Sequence, residues 1–131
     1  MPRNNRLATL MTVLALLPAA GLAQSLESGA MLFQDYCVQC HGEDGRGGGP
    51  LVEGRPAPLP DLRTLSRRNG DAFPFERIVD TVRGGVDVDM HGERFMPAWG
   101  QVFQFKEENG DALTHARILN LVWYLNKIQD D

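Results

Sequence analysis

The feature that most constrains this chain is the pentapeptide Cys37-Val38-Gln39-Cys40-His41, which contains the only two cysteines among 131 residues. Two cysteines provide at most one disulfide. A short chain whose helices bury a limited core usually needs several disulfides, a metal or a cofactor to fold stably. The use that the chain makes of this pentapeptide therefore decides which kind of domain it can form.

Four uses of the pentapeptide are chemically possible. A structural disulfide would close so short a loop that it removes little entropy from the unfolded chain. A thioredoxin-like dithiol site requires strands, and no segment of the sequence alternates as a strand does. A zinc site needs four Cys or His ligands, a count that could just be met with His91 and His115 as the only other histidines, and the spacing is unlike that of a zinc finger. The fourth use is covalent attachment of haem.

The spacing of the pentapeptide matches the chemistry of haem attachment. Both thiols can add to the two vinyl groups of the porphyrin, because the residues between Cys37 and Cys40 place the sulfurs across one helical turn. The next side chain, that of His41, then projects toward the iron. The pentapeptide therefore predicts one haem c, attached through Cys37 and Cys40 and bound by His41.

A second ligand would decide what such a haem does. Iron with two protein ligands mostly carries electrons, whereas iron with an open site binds gases or peroxide. The sequence favours Met96, because Pro97 fixes the backbone direction after it. A turn at Trp99-Gly100 would then lay a large ring over the edge of the haem.

Other residues could take the place of Met96. Met90 lies in a polar run, His91 has a glycine beside it that would allow movement, and an open site is a third alternative. His115 is expected to be a solvated residue at the start of the last helix. A methionine sulfur is a weakly donating ligand that favours ferrous iron, so the pair His41 and Met96 predicts a relatively high reduction potential.

Residues 1–23 have the features of a cleaved signal peptide. Two arginines precede an uncharged apolar run from Leu7 to Leu17, and small residues precede Gln24. An uncleaved membrane anchor is the alternative, but this run covers about 16 Å as a helix, roughly half of a bilayer core. We expect a mature domain of residues 24–131 in the periplasm, without a membrane span.

The mature part is predicted to be all-α, with three main helices and long loops. The first helix runs from Gly29 to Tyr36 behind Ser28 as its N-cap. The second ends at the glycines of residues 84–85, and its apolar stripe is Phe75, Ile78, Val79 and Val82. The third begins at Thr114 as its N-cap, and its apolar face is Ile118, Leu121, Val122, Leu125 and Ile128.

Two long loops would join these helices. The stretch from Gly42 to Pro60 is rich in glycine and proline, which excludes regular structure. The stretch from Val86 to Gly110 is polar and is also predicted to be a loop. The segment from Val52 to Arg68, with four arginines, and the run from Asp87 to Arg94 are expected to be solvated loop, with a recognition surface as the alternative.

Further residues complete a pattern around these motifs: Gly29 and Phe33 ahead of the pentapeptide, Gly49-Pro50-Leu51 after it, and Tyr124-Leu125 in the last helix. This pattern closely resembles the class I c-type cytochromes of bacteria, over about residues 28–128. The resemblance implies a cytochrome c-like fold around one covalently attached haem.

The resemblance also implies two contacts. The first and last helices would cross where Gly29 and Phe33 meet Tyr124. The carbonyl of Pro50 would accept a hydrogen bond from Nδ1 of His41, which fixes the ring and leaves Nε2 for the iron.

The expected function is transfer of single electrons between a redox protein donor and a redox protein acceptor. The sequence shows neither paired carboxylates nor a nucleophile with a base, so it gives no sign of an independent enzyme. The net charge of −4, about −6 once the leader's two arginines are removed, argues against binding to nucleic acid. An acidic surface instead favours partners with a basic patch.

Two other functions stay open. Instead of a monomeric carrier, the chain could be the haem c subunit of a larger dehydrogenase or oxidase. In such a subunit, the segment from Val52 to Arg68 would be a docking segment. It could also be an open-site haem protein, such as a sensor or a peroxidase-like enzyme.

Overall fold

A computed structural model of the chain describes residues 17–54, 59–84, 96–105 and 110–130. The helices, numbered in chain order, are α1 Leu17–Tyr36, α2 Val38–His41, α3 Leu65–Arg68, α4 Phe75–Arg83, α5 Trp99–Phe105 and α6 Gly110–Lys127. Short 3-10 helices span Pro50–Val52 and Leu62–Thr64. The described ranges contain no strand, so the all-α prediction is confirmed. Within these ranges, every helix is too short or too polar to cross a bilayer.

Helices α1 and α6 pack directly on each other, and Gly29 lies at their closest approach. A Cβ atom at this position would run into the backbone carbonyl of Asn120 and come within 2.8 Å of the Cβ of Tyr124. The rings of Phe33 and Tyr124 lie beside this contact, with centroids 5.5 Å apart. The helix crossing that the resemblance implied is therefore present.

One apolar core joins four of the helices. Helix α6 contributes most of it, and α1, α4 and α5 close it from the other sides. The buried apolar residues of these four helices are Phe33, Val79, Val82, Phe103, Ile118, Leu121, Val122 and Leu125, and the buried Cys37 belongs to the same core. The predicted apolar face of α6 is thus buried, and Ile128, just beyond the helix, is half-buried.

Helix α4 forms where its apolar stripe predicted it. Val79 and Val82 are buried, and the helix ends at Gly84, whose φ of 93° lies in the left-handed region that favours glycine. The N–H of Gly84 donates to the carbonyls of Asp80 and Thr81, both at 3.1 Å, which closes the last turn.

Both predicted N-caps are wrong. Ser28 lies inside α1, because the helix-compatible residues before it continue the helix toward the N-terminus. Thr114 lies inside α6, where it is buried, and its hydroxyl makes no hydrogen bond among the described residues. The helix starts four residues earlier, at Gly110, and Asp111 in its first turn interacts favourably with the helix dipole.

Helix α5 lies inside a stretch that the sequence predicted as loop. Phe103 is fully buried and supplies the main packing of this short helix. Gly100 allows the helix to start against the end of α4, since a Cβ there would come within 2.9 Å of the carbonyl oxygen of Arg83. The pattern was missed because a seven-residue helix shows too few apolar positions to reveal a period.

The contact at Gly29 can be tested with Gly29→Ala. Alanine in an open helix interior is more stable than glycine by roughly 0.5–1 kcal/mol. Here we expect the opposite sign, a loss of about 1–3 kcal/mol in the free energy of unfolding, because the new methyl group is forced into the backbone of α6. Urea unfolding of the purified protein, followed by circular dichroism, measures this difference.

Ala116→Gly is the matched control. Ala116 is exposed on α6, so this variant reports the helix propensity of glycine alone and should lose about 0.5–1 kcal/mol. A Gly29→Ala protein more stable than the parent would contradict the close contact.

Candidate functional site

The pentapeptide lies where α1 turns into α2. The N–H of Cys37 donates to the carbonyl of Phe33 at 2.9 Å, and the N–H of His41 donates to the carbonyl of Cys37 at 2.8 Å. These bonds hold Cys37, Cys40 and His41 on about one turn of nearly continuous helix. Both cysteines are free thiols.

The glycine-rich loop lies flat on α2. The N–H of Gly47 donates to the carbonyl of His41 at 2.7 Å, and the N–H of Gly49 donates to the carbonyl of Cys40 at 3.1 Å. A Cβ at Gly49 would run into the backbone carbonyls of Gln39 and Cys40. The missing side chain therefore lets the loop bond to two carbonyls of the pentapeptide and fix its position.

A cavity of about 330 Å³ joins the pentapeptide to the second half of the chain. Cys37, Cys40 and His41 line it together with Met96 and Trp99. Most of the other walls are apolar, and they include Tyr36, Leu59, Pro60, Leu62, Leu65, Pro74, Ile78 and Pro97. The structure thus brings together five of the six predicted site residues, from segments more than 50 residues apart.

Aromatic contacts hold Met96 and its neighbours at the cavity. The ring of Trp99 lies 5.4 Å from that of Tyr36, at the end of α1, and 6.0 Å from that of Phe103. Ala98 packs against Gly84, where a Cβ would collide with the side chain of Ala98. The predicted turn at Trp99-Gly100 is wrong, because Trp99 is the first residue of α5 and Gly100 follows it in the same helix.

The imidazole of His41 is half-buried, and its Nδ1 is fully buried. Burial lowers the pKa of His41, which favours the neutral ring, the form that binds metals. Nδ1 has no hydrogen-bond partner among the described residues, so the expected bond to the carbonyl of Pro50 is not made. A buried polar nitrogen without a partner costs free energy. The ring therefore lacks the hydrogen bond that would fix its orientation, whereas its neutral form and its place on the cavity wall fit a metal ligand.

The two thiols differ in their surroundings. Burial raises the pKa of Cys37 to about 12, and the neighbouring Cys40 adds to the shift. Cys40 is only half-buried. As a free thiol, Cys37 is therefore protonated at neutral pH and poorly reactive.

The remaining candidates are not part of this cavity. Pro50 starts a 3-10 helix and is exposed, away from the residues that line the cavity. His115 is exposed on α6, with its Nδ1 2.8 Å from the guanidinium of Arg83. Met90 and His91 lie outside the described residues. In the described ranges, no three His, Cys, Asp or Glu side chains are grouped as metal ligands.

The sequence interpretation missed one wall of the cavity. The segment from Val52 to Arg68 was expected to be solvated loop, but its described residues 59–68 contain a 3-10 helix and α3, and Leu59, Leu62 and Leu65 line the cavity. Their three-residue spacing is the signal that could have shown a structured, one-sided segment. Arg68 and Arg77, which also line the cavity, carried no such signal.

Comparison with known proteins gives one match. A family model described as cytochrome c oxidase, cbb3-type, subunit III matches residues 24–115. No curated protein and no solved structure matches the chain.

The packing of the loop on α2 can be tested with Gly49→Ala. We expect this variant to lose about 1–3 kcal/mol in the free energy of unfolding and to yield less protein with attached haem, because the methyl group pushes the loop off the pentapeptide. The neighbouring Gly48→Ala is the control: no atom lies within 4 Å of its Cβ, so its effect should stay within about 0.5 kcal/mol. Equal losses in the two variants would refute the role of this contact.

Proposed function

Since the chain belongs to the family described as cytochrome c oxidase, cbb3-type, subunit III, we propose that it carries single electrons between redox proteins through one haem c. The match shows a c-type cytochrome domain, and such a domain transfers electrons through haem and has redox partners. The observation that carries the finer proposal is the single cavity that Cys37, Cys40, His41 and Met96 line together.

Cys37 and Cys40 are the proposed tethers of the haem. Each thiol would add across one vinyl group of the haem: the sulfur would bond to one carbon and the thiol proton would go to the other, so attachment would require no oxidant. Two free thiols on one helical turn, both facing a largely apolar cavity, support this assignment. When bound, the haem supplies an iron that takes up and releases one electron without a bond being made or broken.

His41 and Met96 are the proposed ligands of the iron. The lowered pKa of His41 favours its neutral ring, which is the form that binds metals, and this ring lines the cavity. Met96 lines the same cavity from a separate part of the chain. Two protein ligands leave no open position for gases or peroxide, which favours electron transfer over sensing or peroxidase chemistry.

The walls of the cavity tune the site. Leu62, Leu65 and Ile78 give the cavity apolar walls, and Trp99 adds an aromatic ring to them. A thioether ligand in such an apolar setting favours the ferrous state, so a relatively high reduction potential is expected.

Export to the periplasm is part of the proposal. The basic start, the apolar run and the small residues of the first 23 positions support a cleaved leader. The family match begins at Gln24, directly after the proposed cleavage site. The mature protein would then meet its redox partners outside the cytoplasm.

A fixed subunit of a larger oxidase is the second candidate, because the description of the matched family is that of an oxidase subunit. A subunit would purify from membranes bound to its oxidase, whereas a carrier would purify alone. The electron-transfer chemistry at the cavity is the same in both.

The ligand assignment can be tested with Met96→Ala and Met90→Ala. The Met96 variant should lose the long-wavelength charge-transfer band that reports a methionine sulfur on ferric haem iron, and its ferrous form should bind carbon monoxide rapidly. Both results follow because the alanine leaves one iron position open. Absorption spectroscopy of the two purified variants measures them.

Met90→Ala is the matched control and should keep the band of the parent. Loss of the band in the Met90 variant alone would assign Met90 as the ligand. Rapid binding of carbon monoxide to the unmodified protein would favour the open-site alternative.

The structural role of the tethers can be tested with the double variant Cys37→Ala, Cys40→Ala. We expect little folded protein, because the walls of the cavity then enclose no apolar group and the core alone is small. Circular dichroism with thermal unfolding measures this on the haem-free chain. Native helicity with a cooperative unfolding transition would show that the chain folds without the haem.

A further inference from the structure

One side of the cavity is basic, and the residues on this side are not part of the sequence motifs. Arg68 and Arg77 both line it, and among the described residues no aspartate or glutamate does. Both arginines are exposed, so they stand where the apolar walls meet water. A net acidic chain thus carries two cations at the mouth of its principal site.

Backbone hydrogen bonds orient the guanidinium of Arg68. Its Nε donates to the carbonyl of Thr64 at 3.3 Å, and one terminal nitrogen donates to the carbonyl of Asp61 at 2.8 Å. These bonds use two of the five N–H groups of the side chain and neutralise none of its charge. The guanidinium is therefore held in place and keeps donors free for an anion.

Arg77 reaches the cavity from α4. Its neighbour Ile78 and Thr81, one turn later, line the same cavity, so this face of the helix points at the site. Glu76 and Asp80 are on the same helix but do not line the cavity, and no carboxylate among the described residues lies within ion-pair distance of Arg77.

The neighbouring arginines have other roles. Arg63 forms ion pairs with the carboxylates of Asp61, at 3.5 Å, and Asp130, at 3.3 Å. Arg67 lines a separate groove on the far side of α3, together with Trp123. Of the basic residues described between positions 59 and 68, only Arg68 faces the cavity.

We propose that Arg68 and Arg77 form a carboxylate-binding site for the propionate groups of the haem. The proposal rests on the proposed function, since it requires the haem in this cavity. The porphyrin is apolar except for these carboxylates. The cavity likewise has an apolar part and a charged part: leucine and isoleucine side chains lie along its walls, and two exposed arginines line it as well. Guanidinium binds carboxylate through paired hydrogen bonds, which also orients the group that carries the carboxylate.

Such a site would also change the reduction potential of the haem. Two cations near the haem favour the state with one more electron, so they raise the reduction potential. They also hold the propionates ionised, because a nearby opposite charge lowers the pKa of a carboxyl group.

The experiment compares Arg68→Gln, Arg77→Gln and the double variant with Arg67→Gln, each as haem-loaded protein. Reduction potentials are measured by spectroelectrochemistry across a range of pH. We expect a lower potential in the two single variants and a further drop in the double variant. The pH dependence of the potential should move to higher pH, by on the order of one unit, as the propionates lose their cations.

Arg67→Gln removes the same charge from the same helix, one residue away, and should change potential and pH dependence least. Arg68→Lys and Arg77→Lys keep the charge and should recover most of the parent's behaviour. All these positions are exposed, so the variants should fold, as the parent's helicity and methionine band would report. Curves of Arg68→Gln and Arg77→Gln that coincide with that of Arg67→Gln would overturn the carboxylate site alone. A parent protein without covalent haem or the methionine band would instead overturn the proposed function.

Discussion

Helix α1 can lie directly on α6 because residue 29 has no side chain. The carbonyl of Asn120 occupies the space that a Cβ would need, and Phe33 packs on Tyr124 one turn further along. Cys37 follows at the end of the same helix. The position of the pentapeptide relative to the core is therefore set by a contact between two backbones, which tolerates little displacement. The glycine-rich loop repeats this arrangement on a smaller scale at Gly49, where a second backbone lies on α2.

Helix α4 separates the core of the protein from its cavity. Val79 and Val82 face the core and are buried, whereas Ile78 lines the cavity. The apolar side chains of this helix therefore face both the core and the cavity. On the core side, other side chains of the protein pack against them. A flat apolar cofactor in the cavity would bury the side that faces the cavity and contribute roughly 25 cal/mol for each Å² removed from water. The cofactor that carries the electron would then also complete the fold.

The parts of the fold that the sequence revealed are those in which one short segment contains the whole signal. The pentapeptide and the stripe of α4 with its glycine stop are such segments. Residues whose role depends on a distant neighbour gave no local sign. Thr114 has the residue type of an N-cap but is buried inside α6. Trp99 was predicted to lie in a turn but begins a helix, because its contacts with Tyr36 and Phe103 exist only in the folded chain. The place of Arg77 in the wall of the cavity is likewise visible only in the folded chain.

The electrostatics of the site follow from local charges more than from the net charge. Exposed charges separated by more than about 8 Å are largely screened at physiological ionic strength. The net charge of −4 therefore governs long-range encounter with other molecules. A haem in the cavity would instead lie beside the two arginines at its mouth and a neutral His41, since no acidic side chain of the described residues lines that cavity. An acidic protein can thus hold its redox centre in a locally positive environment, and net charge alone predicts neither the reduction potential nor the charge of the face through which the electron passes.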